Sequence, residues 1–213
     1  MAGVNEPELL HAGLNLANHP PEKQAQVESD VFGFWVFLMS DAILFALLFA
    51  IYGTMLDATA GVPAPHTDFK FSSSFLETLA LLSSSFAYGM VSLNLKLGAS
   101  RRWIWGWLGV TFLLGAWFLR LEIGDFIDMA AHGETAQASG ALSSFFVLVG
   151  THGLHVTCGL IWIVIMAVQL AIHGIDERVK INLIRLGLFW HFLDVVWVAT
   201  VSYTHLTLPT KRI

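Results

Sequence analysis

Five stretches of this chain are long and apolar enough to cross a lipid bilayer, and this constrains the fold more than any other feature. A hydrocarbon core of about 30 Å takes roughly 20 residues of helix. Val31 to Tyr52, Phe75 to Leu95, Trp103 to Leu119, Gly140 to Ile172 and Leu186 to about Leu208 match that requirement. The second stretch carries Glu77 near its start and a Ser83-Ser84-Ser85 run, yet it is too apolar for a loop and is bounded by Lys70 and Lys96. Of the 213 residues, 55% are hydrophobic and only 13% charged, too little polar surface for a water-soluble globule. The runs lack the roughly ten-residue alternation of an outer-membrane strand, whereas a helix satisfies every backbone group within itself. The expected fold class is therefore all-α: an integral membrane bundle of five transmembrane helices over 31–201, with a polar tail at 1–30 and an atypical tail at 202–213.

Lys and Arg in the short connections set the orientation. The first tail and the 2–3 and 4–5 loops hold Lys23, Lys96, Arg101, Arg102, Arg178, Lys180 and Arg185, while the opposite side before the last tail offers only Lys70 and Arg120. This bias places the N-terminus in the cytoplasm and, after five spans, the C-terminus outside. Residues 1–30 have no basic segment followed by a short apolar core and a cleavage site, so no cleaved secretory signal is expected. A net charge of −5, with no Gly-rich phosphate loop and no Cys-rich zinc pattern, gives no indication of a nucleic-acid partner or a metal site. The single Cys158 lies in mid-helix and reads as a small packing residue.

Ionisable groups within membrane spans are costly, about +2.5 to +3.5 kcal/mol for Asp at a helix centre on insertion scales, so each needs a reason. Asp41 lies about 15 Å along the first helix at 1.5 Å per residue, the deepest carboxyl in the chain, with no evident partner on its own helix. Glu77 opens the second helix on the outer side, and Arg120, Glu122 and Asp125 close the third on that side, shallow enough to reach the interface. His152 and His155, in "GTHGLHVTCGLIW", share one face of the fourth helix, and His191 and Asp194 repeat that spacing on the fifth.

Two readings of the histidines are open from the residues alone. Polar side chains tie membrane helices together by hydrogen bonds. Alternatively, His152 or His155 facing His191 would make a di-histidine haem b anchor, a redox protein rather than a structural one. A small transporter using Asp41 as its proton-coupling group is a third class, without the interrupted helices or internal repeat that would support it.

The stretches "FGFWVFLMSDAILF" (32–45), "SSFFVLVGTHGLHVTCGLIW" (143–162) and "LFWHFLDVVW" (188–197) closely resemble subunit III of haem-copper terminal oxidases, most strongly that of the bo-type ubiquinol oxidases. The resemblance runs from about Phe32 to Trp197. It implies a V-shaped helical bundle in a bacterial cytoplasmic membrane, catalysing nothing itself and holding no metal, haem or other redox centre. Its partners would be oxidase subunit I, the other oxidase subunits and phospholipid in its cleft. Its role would be to sustain proton uptake into subunit I and protect that subunit during turnover.

By position, Asp41 takes the place of the family's intramembrane carboxylate, and Glu122 and Asp125 resemble its acidic pair, Asp125 being shorter than the usual Glu. Five spans, with Glu77 opening the second, resemble the quinol-oxidase branch, although five-helix subunits also occur in cytochrome c oxidases. The resemblance gives His152, His155, His191 and Asp194 the structural reading, as polar contacts between helices. One departure stands at Ser202, from which "SYTHLTLPTKRI" replaces the family's apolar and aromatic continuation of the fifth helix.

Overall fold

The computed structural model describes residues 21–56, 58, 71–98, 100–133 and 135–207. They form five helices: α1 (Pro21–Met55), α2 (Phe71–Lys96), α3 (Arg101–Ala131), α4 (Gly140–His173) and α5 (Glu177–Thr207). Each contains a segment long and apolar enough to cross a membrane, and no strand occurs among the described residues. The five-helix membrane fold expected from the sequence is thus the fold observed.

The helices outrun the apolar stretches. α1 starts at Pro21, inside the expected tail, α3 continues from Leu119 to Ala131, and α5 starts at Glu177 rather than Leu186. Hydropathy marks only the part of a helix embedded in hydrocarbon, and nothing stops the backbone ladder in the headgroup region, where charged side chains are solvated. The breaks come from local chemistry instead. Pro21 stands at a first helical position, where its missing N–H costs nothing. After α3 and α4 the chain turns at Gly133 (φ +81°) and Gly174 (φ +74°), a backbone region that favours glycine. The Ser139 side chain accepts from the Leu142 N–H at 3.1 Å and caps α4. Residues 1–20 and 208–213, most of the two expected tails, lie outside the described residues.

α4 and α5 form the spine. α1 packs on both, α2 packs on α5 and α3, and α3 packs on α4; among the described residues α1 meets neither α2 nor α3. The Trp190 indole on α5 is closely enclosed, because a Cβ built on Gly115 of α3 or Gly159 of α4 would fall 2.8 or 2.9 Å from its ring. Two glycines on neighbouring helices therefore make the space for one tryptophan. On the same seam, Trp190 Nε1 donates to Ser84 Oγ (3.1 Å), Trp197 Nε1 donates to Thr78 Oγ1 (3.2 Å) and the Tyr88 hydroxyl donates to the Leu183 carbonyl (2.7 Å). The outward faces are apolar too: Phe32, Ile43, Leu47, Leu113 and Ile172 are all exposed, as lipid-facing side chains are.

Candidate functional site

Asp41 and His155 are brought together from α1 and α4. Asp41 is buried, and its Oδ1 lies 3.3 Å from His155 Nε2. The other ring nitrogen of His155 is 2.7 Å from the Thr151 carbonyl, one turn back on α4. A carbonyl only accepts, so Nδ1 carries a hydrogen and Nε2 is the atom offered to Asp41. The pair then needs one proton between its facing atoms: either a protonated Nε2 donates to a carboxylate, or a carboxylic acid donates to a bare Nε2. With no proton there, two lone pairs would face each other in a low-dielectric interior. Phe45 packs on the His155 ring with centroids 5.2 Å apart, and Phe189 at 6.5 Å. Asp41 Oδ2 is buried without a hydrogen-bond partner. The partner of Asp41 is 114 positions away in sequence, which is why its own helix offered none.

The acidic residues form a second group. Glu77 and Glu122 are 4% and 3% exposed, so neither reaches out to the interface as their shallow sequence positions suggested. α3 continues past Glu122 and Asp125 to Ala131, which keeps Glu122 within the packed length of the bundle. Gly153 of α4 leaves room for it: a Cβ there would sit 2.8 Å from Glu122 Oε1. Asp125 lies within reach of Glu77, and Glu77 lies near enough for its charge to act on Glu122.

His152 is fully buried, and Nε2 donates to the Leu193 carbonyl on α5 at 3.2 Å. Its ring lies between Trp197 (5.1 Å) and Phe118 (5.8 Å). His191 turns toward α2, where Nδ1 is 2.7 Å from Ser85 Oγ. Ser85 also lies within reach of the Asp194 carboxyl, so this hydroxyl is close to both α5 residues that share a helix face. Ser85, Thr151 and the Leu193 carbonyl were not singled out in sequence. The Ser83-Ser84-Ser85 run was the one visible signal for Ser85, and backbone carbonyls carry none.

The ring nitrogens toward which a haem iron would have to approach are largely engaged: both of His155, Nε2 of His152 and Nδ1 of His191. His152 and His191 moreover serve different seams, α4–α5 and α5–α2. Among the described residues, no group of three or more His, Cys, Asp or Glu is arranged to hold a metal ion. What the arrangement offers chemically is proton-holding carboxyl and imidazole groups inside a membrane bundle.

Comparison with known proteins agrees with this architecture. The family model described as cytochrome c oxidase subunit III matches residues 17–204. The chain is 48% identical over 176 residues to the cytochrome bo(3) ubiquinol oxidase subunit 3 of Pseudomonas putida, covering 83% of this chain and 84% of that one. It is 44% identical over 176 residues, with the same coverage, to the protein of that name from Pseudomonas aeruginosa. To the one from Buchnera aphidicola subsp. Baizongia pistaciae it is 40% identical over 190 residues, 87% of this chain and 97% of the relative. Five apolar helices, their buried polar pairs and a match over nearly the whole membrane part converge: this chain belongs to the cytochrome c oxidase subunit III family, the third subunit of haem-copper oxidases.

Proposed function

We propose that the chain is the non-catalytic subunit III of a haem-copper quinol oxidase in a bacterial cytoplasmic membrane. The assembly oxidises quinol, reduces oxygen to water and pumps protons; this chain holds no redox centre, packs beside subunit I, binds phospholipid and sustains proton uptake. The names of its relatives support quinol as the electron donor. The Lys and Arg bias of the connections supports a cytoplasmic N-terminus.

The observation that carries the proton role is the Asp41–His155 pair. A carboxyl and an imidazole 3.3 Å apart, buried between two membrane helices and requiring one proton between them, are more than packing needs. Asn and Gln would join helices at lower cost. The engaged histidine nitrogens favour this reading over a haem b anchor.

Oxidase prepared with and without this chain tests the reading. Both preparations should begin quinol-driven oxygen uptake at similar rates, and the one lacking the chain should lose activity sooner during turnover. Equal lifetimes would contradict the supporting role, and loss of all activity from the first turnover would make the chain part of the catalytic machinery.

A further inference from the structure

One face of α5 has no neighbour within the bundle. His191, Val195, Val198 and Ser202 recur at helical spacing and all four are exposed. α1 flanks this face on one side, through Phe45 against Phe192 and Phe49 against Tyr203. α2 flanks it on the other, through Ser85 with His191 and Thr78 with Trp197. Because α1 and α2 do not touch, α5 is the floor of a slot with a helix on either side.

The polar group in that floor is at the worst depth for lipid. His191 is level with Ser85, the middle residue of the apolar stretch Phe75 to Leu95, about 15 Å along α2 from Phe75 at 1.5 Å per residue. Ser85 occupies Nδ1, while Nε2 has no hydrogen-bond partner among the described residues. Acyl chains have no group to offer it, and headgroups lie about 15 Å away on either side of a 30 Å core. Ionisable residues at this depth face protein or a water-filled cavity. The rest of the floor, two valines and a serine, is low enough for a helix backbone to come close.

We propose that a transmembrane helix of another oxidase subunit docks in this slot and places a hydroxyl or carboxamide side chain on His191 Nε2. Either group can donate or accept, so it serves whichever tautomer the Ser85 contact leaves. The proposal rests on the chain being an oxidase subunit. It goes further in naming the face, the depth and the chemistry of the contact.

Photo-cross-linking of the intact oxidase tests it. A diazirine-bearing aliphatic residue replaces Val198 in one preparation and Ile161, exposed on α4 outside the slot, in another. The residue at 198 should form an adduct with a different oxidase subunit at several-fold higher yield than the one at 161, and His191→Leu should lower retention of this chain in the purified complex. Should the Val198 variant fail to accumulate, Val195 carries the same probe on the same face. Adducts at the slot only with lipid, or only with a second copy of this chain, while the other subunits co-purify normally would overturn the proposal and leave the oxidase assignment standing. A chain that co-purifies with no oxidase subunit would overturn both.

Discussion

Asp41 on α1 and His155 on α4 face each other across 3.3 Å near the middle of the membrane, and the Thr151 carbonyl behind the imidazole fixes which ring nitrogen meets the carboxyl. The pair joins two helices and at the same time commits them to holding a proton. Removing one member strands the other, which is the case where buried polar partners matter most.

His155→Leu leaves Asp41 without its contact and should cost about 1–3 kcal/mol of stability, the penalty for an unsatisfied buried polar group. Adding Asp41→Leu to that variant should restore part of the loss, since two apolar groups need no proton. Denaturation of the two single variants and the double variant in detergent measures the coupling. Additive losses would mean that the two residues do not interact.

Gly159 and Gly115 admit the Trp190 ring, so Ala at either position forces a large, enclosed side chain to move. Gly159→Ala should destabilise the bundle by about 1–3 kcal/mol, the usual range for overpacking a close-packed core. Gly109→Ala, on α3 where a Cβ meets nothing within 4 Å, is the matched control and should be neutral or stabilising in unfolding assays.

The membrane orientation is open to direct measurement. A reporter fused after Asp176, in the α4–α5 connection, should read cytoplasmic, and one after Gly133, in the α3–α4 connection, should read external. The reverse pattern would refute the orientation drawn from the Lys and Arg distribution.

If the histidines serve helix contacts, the chain purified by itself should be colourless in the visible range. A stoichiometric Soret band that disappears in His191→Ala would instead establish the haem b anchor.

Fold and site were unequally legible in the sequence. The five helices stood out because hydrocarbon admits few alternatives to a long apolar helix. The termini did not, since α3 and α5 extend beyond their apolar parts and polar residues at the interface neither demand nor forbid a helix. Which face of each helix turns inward was also hidden. In a soluble protein the apolar stripe reveals it, but here exposed Leu113 and Ile161 are as apolar as buried Leu108 and Ile163.

The polar residues could be found because they are expensive in a membrane, so Asp41, His152, His155, His191 and Asp194 were visible as a set. Their partners were not. Asp41 meets a residue more than a hundred positions away, and His152 meets a main-chain carbonyl, which no side-chain pattern marks. Glu77 and Glu122 were placed near the interface by depth alone, yet the room left by Gly153 on a neighbouring helix lets Glu122 turn inward. Asp125 comes half-buried beside Glu77.

The central claim, that the Asp41–His155 pair sustains proton uptake by the oxidase, is tested most directly by Asp41→Asn in the assembled complex. Asn keeps the size and hydrogen-bonding reach of Asp and removes its ability to exchange a proton. Quinol-driven oxygen consumption should be followed through many turnovers at two pH values. The variant should assemble and start at a near-normal rate, then lose activity faster than the unmodified oxidase, with an altered dependence on pH. Traces indistinguishable from the unmodified enzyme at both pH values would contradict the account and reduce the pair to a structural contact.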